Sequence, residues 1–286
     1  MRTKKEGFTL VELMVVVSII ALLLALLMPS LSRAREGAKR QVCANQLKQN
    51  SVAIHSYGAD YDYKMPWWGY DESTVENPYA GDEEGHPYVV YRGGSTDIAW
   101  RFPTSVATDP WDTTKGKLKA MRMACLYEGK YITVPEVFYC PSNRMPLYKF
   151  ESYTDPTPWG RLPQVYNSSN VPPSNQWVRL GYEYFPTDPK TPTESLVYGS
   201  DTYNVPKETA RKVHGLNPHL PYMTDVIRNR THLSHQNKST YAVHALFSDG
   251  HVVFCNDAYV FNHPVWANPP TNWRLYYYII FRQINP

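Results

Sequence analysis

Polar positions all but vanish at the start of the chain. From Phe8 to Met28, "FTLVELMVVVSIIALLLALLM" carries a single charge, Glu12, in 21 residues. At about 1.5 Å per residue, a helix of that length reaches roughly 30 Å, the thickness of a bilayer's hydrocarbon core. Pro29 follows and is expected to kink or end the apolar part. Beyond it the pattern changes rather than stops. Ala34, Ala38, Val42, Leu47, Ile54, Tyr57 and Tyr61 recur at helical spacings, which predicts an amphipathic continuation over residues 30–62. Gly37 weakens that helix by about 1 kcal/mol relative to Ala without forbidding it.

After residue 62 the helical period is lost. Residues 63–115 are rich in Tyr, Trp, Pro, Gly and Asp and predict irregular or hairpin structure, with Asp82-Glu83-Glu84 as a solvated loop. Residues 115–129 predict a short helix ending at Gly129, and "YITVPEVFYCPSN" two short strands around Pro135. "VRLGYEYFP" and "ESLVYGSDT" each predict a strand, and residues 203–230 a long surface insertion. "YAVHALFSDGHVVFCND" is the clearest hairpin, with Asp249-Gly250 suited to a tight primed turn. "NWRLYYYIIFRQI" fits strand and helix equally. These elements predict an α+β fold: one long amino-terminal helix packed on an antiparallel sheet with long loops.

Composition adds limits. The 24 prolines favour loops and short strands over long helices. A net charge of +3, with no basic stripe after residue 50, gives no footprint for nucleic acid. Cys43, Cys125, Cys140 and Cys255 form no C-x-x-C pair, which argues against a zinc knuckle. Outside the cytoplasm they allow one or two disulfides. Four buried thiols fit the sequence as well, and the pairing stays open.

Glu12 sets the sharpest question. A carboxylate well inside a span costs about 2.5–3.5 kcal/mol and normally has a partner. Its helical neighbours at i+3 and i+4 are Val15 and Val16, so no basic side chain serves. A secretory signal cleaved near Ser32-Arg33-Ala34, or a plain anchor, leaves that charge unexplained. A cut between Gly7 and Phe8 would supply a free amine, and a staggered neighbouring chain could bring its own amine to Glu12.

"KKEGFTLVELMVVVSIIALLLALL" resembles the class III signal of type IV pilins and type II secretion pseudopilins: a basic leader with Arg2, Lys4 and Lys5, then Gly7, Phe8, Thr9, Leu10 and Glu12 ahead of an apolar helix. The resemblance implies cleavage after Gly7 by a prepilin peptidase, N-methylation of Phe8, and pairing of Glu12 with a neighbour's Phe8 amine. It implies a leader over residues 1–7, a transmembrane assembly helix over 8–29, its amphipathic continuation over 30–62, and an extracytoplasmic globular domain over 63–286. The leader would stay on the cytoplasmic side of the inner membrane. Implied partners are the peptidase, that membrane, and like or related subunits.

The rest of the chain is similar to pilin-like proteins that end with a His, nine residues and Asp-Gly. "CANQLKQNSVAIHSYGADYDYKMP", "VFYCPS" and "LFSDGHV" follow their landmarks in order. The spacing departs: thirteen residues separate His235 from Asp249-Gly250, sixteen separate His232, and Ser239 holds the family's His position. The role of His235, Asp249 and Gly250 is therefore open.

His232, His235, His244 and His251 lie near Asp249, and imidazoles with a carboxylate are metal donors. Strand alternation sends neighbours to opposite faces, so a turn capped by Asp249, with no resident metal, is the simpler expectation. Some pseudopilins hold calcium in a carboxyl-terminal loop. Asp201, Asp249 and Asp257 are the oxygen candidates here, without a D-x-D-x-D-G loop. No cofactor is expected. No nucleophile elbow, phosphate loop, H-E-x-x-H or dinucleotide fingerprint occurs, which points away from an enzyme. The expected function is a structural subunit of a type IV pilus or secretion pseudopilus. The alternative is a membrane-anchored binding module for polysaccharide or secretion cargo, with Trp67, Trp68 and Tyr70 as the first stacking candidates.

Overall fold

The computed structural model describes residues 9–66, 89–93, 122–153, 176–207, 210–236 and 240–284. Gly7, Phe8, Trp67, Trp68, Tyr70 and the acidic 82–84 patch lie outside the described residues. The chain divides into two compact units, Met1–Gln41 and Val42–Pro286.

Helix α1, Leu10–Asp60, runs for 51 residues and passes through Pro29. The proline removes one backbone donor but does not end the helix. Over the most apolar stretch of α1 no residue is buried, so its Leu, Val and Ile side chains are open all round. The buried stripe begins at Cys43 and continues through Leu47, Asn50, Ser51, Ile54 and Gly58. Leu47 and Ile54 fall where the sequence pattern puts them. Ala34, Ala38, Val42 and Tyr61, expected on the same stripe, are exposed.

In the second unit the sheet contains β3 (Tyr182–Tyr184), β6 (Met223–Asp225), β7 (His235–Gln236), β8 (Tyr241–Leu246) and β9 (Val252–Cys255). All pairings are antiparallel: β3 with β6, and β8 with β6, β7 and β9. Two smaller pairs stand apart, β1 (Val89–Gly93) with β2 (Gln176–Arg179) and β4 (Thr193–Tyr198) with β5 (Asp201–Pro206). Short helices α2 (Ala124–Glu128) and α3 (Ala258–Asn262) and the eleven-residue α4 (Trp273–Gln283) are the other α-helices among the described residues, alongside several 3-10 turns.

Strand alternation divides the core. Leu246, Met223, Tyr182 and Tyr184 join Cys43, Leu47 and Ile54 in one cluster. Val243, Ala245 and Phe247 join Leu275, Tyr276, Ile279 and Ile280 of α4 in the other. The sheet is thus sandwiched between the last turns of α1 and α4, the α+β arrangement expected. Burial of such side chains contributes about 1.5–3 kcal/mol each before entropy is counted.

Several local expectations change. The Pro135 segment is a 3-10 turn, Pro135–Phe138, rather than strands. Proline fixes φ and lacks a donor, and the turn's carbonyls are used by α1. Gln46 Nε2 donates to Glu136 O at 3.1 Å, and Asn50 Nδ2 to Val137 O at 3.3 Å. "VRLGYEYFP" splits at Leu180-Gly181 into β2 and β3, which belong to different sheets. Gly181 N donates to Phe138 O at 2.9 Å, and a Cβ there would lie 2.7 Å from Cys140 N. "ESLVYGSDT" folds back on itself, with Gly199 in the left-handed region at φ 62° joining β4 to β5. Residues 203–230 are no surface insertion: they hold β6, and Tyr222 to Ile227 are all buried. The β8–β9 hairpin forms, but not with a primed turn. Gly250 N donates to Phe247 O at 2.9 Å, and among the turn residues Gly250 alone has positive φ, 84°. That fits a type I turn closed by a glycine bulge. The open carboxyl-terminal stretch is helix α4, capped by Asn272, whose side chain accepts from Leu275 N.

Candidate assembly segment and a buried donor cluster

The start of α1 answers part of the Glu12 question. Thr9 N and Thr9 Oγ1 donate to Glu12 Oε2 at 2.9 and 2.6 Å, and Glu12 N lies 3.3 Å from Thr9 Oγ1. This is a capping box: residue 9 ends the helix's exposed amide row and Glu12 reaches back to it. Among the described residues, every hydrogen bond to the Glu12 carboxylate falls on Oε2. The negative charge also sits at the positive end of the helix dipole.

A second polar constellation lies inside the Val42–Pro286 unit, between α1 and the sheet. α1 places Cys43, β6 places Asp225, β7 His235 and β8 His244, all buried. One donor atom from each lies within 4.8 Å of the others. Cys43 Sγ donates to Asp225 Oδ1 at 3.0 Å, and His244 N to Asp225 Oδ2 at 2.7 Å. His244 Nδ1 is 3.1 Å from His235 Nε2, and these nitrogens lie 3.4 and 3.5 Å from Asp225 Oδ2. Cys140 Sγ is 3.5 Å from His235 Nε2, and Tyr182 Oη is 3.3 Å from Cys43 Sγ. Burial works to raise the Asp225 carboxyl, yet the two imidazoles and the Cys43 thiol hold it at about 2. Burial, contact with Cys140 and the Asp225 charge push the Cys43 thiol well up. None of the four cysteines is in a disulfide.

Comparison with known proteins fits both ends of this picture. Residues 2–28 match the prokaryotic N-terminal methylation motif. Residues 32–178, just over half of the chain, match the family described as protein of unknown function (DUF1559). The chain belongs to the DUF1559 family. It is similar to competence protein ComGC of Halalkalibacterium halodurans, at 39% identity over 58 residues, 20% of this chain and 57% of that protein. It is also similar to the ComG operon protein 3 homolog of Bacillus licheniformis, at 29% identity over 62 residues, 22% of this chain and 64% of that protein. Neither match reaches two thirds of the relative's length. No solved structure matches. Together with the methylation motif and the long apolar helix, these matches make the DUF1559 chain a type IV pilin-like protein.

In this DUF1559 protein the histidines expected near the hairpin separate. His235 and His244 meet in the cluster. His251 stays at the turn, where Asp249 accepts from its backbone N at 3.0 Å and contacts its Nδ1. His232 packs against Tyr148 with the rings tilted at 58° and centroids 5.5 Å apart. Asp249 therefore caps the turn, and Gly250 supplies its left-handed corner. The calcium candidates do not converge among the described residues: Asp201 starts β5 at its exposed end, and Asp257 caps α3 by accepting from Tyr259 N at 2.8 Å. Cys43, Cys140 and Asp225 escaped the sequence-based search. Cys43 and Asp225 are 182 residues apart, and Asp225 lay in a stretch whose Pro and Asn content suggests loop. The Thr9-x-x-Glu12 spacing was a local signal for the capping box.

Proposed function

We propose that this DUF1559 protein is a pilin-like subunit, cleaved after Gly7 by a prepilin peptidase, methylated at Phe8, and assembled through α1 into a pilus or pseudopilus. The observation that carries this is the apolar half of α1. No face of it is buried in the chain, so lipid and then neighbouring helices must cover it. The globular unit would stay outside the cytoplasmic membrane and present a surface to other subunits or to cargo. The chemistry is non-catalytic. In the membrane, Thr9 satisfies Glu12 Oε2, and the other carboxylate oxygen accepts the Phe8 amine of a staggered neighbour. Pairing the two charges offsets the roughly 2.5–3.5 kcal/mol cost of a carboxylate at depth and fixes subunit register.

Two substitutions separate the cap from the assembly contact. Glu12→Ala should reduce the sheared filament fraction about 10-fold or more, which corresponds to a loss of about 1.4 kcal/mol or more per contact. Thr9→Val removes the cap alone, costs about 1 kcal/mol of helix stability, and should leave assembly within a few-fold of wild type. Unchanged filament yield in Glu12→Ala would remove the register role.

A further inference from the structure

We infer that Cys43, Asp225, His235 and His244 bind one divalent transition ion of the zinc class as a structural centre. The donor set is the first reason. One thiolate, one carboxylate and two imidazole nitrogens suit zinc, whereas calcium and magnesium want oxygen alone. Geometry is the second. An ion holding N or O at about 2.0–2.2 Å and S at about 2.3 Å sets tetrahedral ligands about 3.3–3.8 Å apart. Around Asp225 Oδ2, the His244–His235, His244–Asp225 and His235–Asp225 separations are 3.1, 3.4 and 3.5 Å; Cys43 Sγ is 3.0 Å from the other carboxylate oxygen, Oδ1, and one donor atom from each of the four residues lies within 4.8 Å of the rest, so a small closure about the ion completes the set.

Charge is the third. A thiolate and a carboxylate sum to minus two, the imidazoles are neutral, and a divalent ion brings the buried site to zero. Removing such charges from water uncompensated is costly. Supporting contacts already orient the ligands, as metal sites require: His244 N on Asp225 Oδ2 at 2.7 Å, and Tyr182 Oη beside Cys43 Sγ at 3.3 Å. The four ligands come from α1, β6, β7 and β8. The ion would therefore tie the end of the assembly helix to three strands of one folded unit. Cys140, hydrogen-bonded with Cys43 and 3.5 Å from His235 Nε2, stands beside the ligand set.

The test uses the full chain, extracted in detergent without added metal or chelator. Elemental analysis should find about one zinc per chain, and stripping it with a strong chelator should lower the thermal midpoint by about 10 °C or more, restored by Zn²⁺. Cobalt substitution should give a thiolate charge-transfer band. His244→Gln, checked by circular dichroism for folding, should weaken metal retention about 10-fold or more. If that variant does not fold, the cobalt spectrum of the wild type decides by itself. No zinc and no cobalt uptake would overturn the site. So would a Cys43–Cys140 disulfide found by non-reducing peptide mapping, or full retention of zinc by a folded His244→Gln.

Discussion

The two ends of α1 share one backbone and solve opposite problems. Its first half carries large aliphatic side chains, none of them buried by the chain itself. Its last turns bury a mixed stripe, with Asn50 and Ser51 as deeply placed as Leu47 and Ile54. The difference teaches where each half finds its partner. Among the described residues nothing in the chain covers the apolar half, and the proposed function gives it hydrocarbon and other helices to pack against. The mixed half folds against its own sheet, where the Asn50 Nδ2 amide donates to Gln46 O at 2.9 Å and to Val137 O at 3.3 Å.

Paired truncations put the strongest strain on this contrast. Leu47→Ala should cost about 2–5 kcal/mol of folding stability, because the side chain is wholly buried and leaves a cavity. Leu23→Ala, 53% exposed, should change the stability of the detergent-solubilised protein by about 0.5 kcal/mol or less while still weakening filaments. Urea unfolding followed by near-ultraviolet circular dichroism separates the two. Equal costs would break the comparison.

A smaller effect is expected at Gly181, where β2 gives way to β3. A Cβ there meets Cys140 N at 2.7 Å and Tyr139 Cα at 2.8 Å, both backbone atoms. Gly181→Ala should therefore destabilise by about 1–3 kcal/mol, measured by the same unfolding curves. It should leave assembly of the surviving folded protein unchanged, since the membrane half of α1 is untouched.

The smallest effect is a pH dependence confined to the globular unit. Burial, with Arg228 nearby, lowers the His232 imidazole from 6.5 to about 4. The unfolded chain thus takes up a proton between those values that the folded protein refuses. Stability contributed by the neutral ring is full above pH 6.5, falls as pH drops through the window, and stops falling near pH 4. His232→Gln should flatten that slope in urea midpoints taken across the window. An unchanged slope would assign it to other groups.

What the sequence revealed follows the same division. The apolar half of α1 is written in consecutive residues, so the helix and its single carboxylate were legible without tertiary information. The β8–β9 hairpin was legible for the same reason, since Asp249-Gly250 flanked by apolar runs is a local signal. Its turn type was not. A glycine in the third loop position and one in the second differ by a register that only the ladder fixes. Pro135 misled because a proline after the β-branched run Ile132-Thr133-Val134 suits both strand ends and 3-10 turns. The donor cluster was the least legible. His235 and His244 stood among the candidate histidines, but Cys43 and Asp225 look ordinary in their own segments, and only the crossing of α1 over β6, β7 and β8 brings the four together.

The central claim is that α1 is a processed assembly helix. Its most direct test is the intact mass of the membrane-extracted chain. The account predicts an amino terminus at Phe8, heavier by one methyl group. A chain still beginning at Met1, or one cut near Arg35, would contradict it.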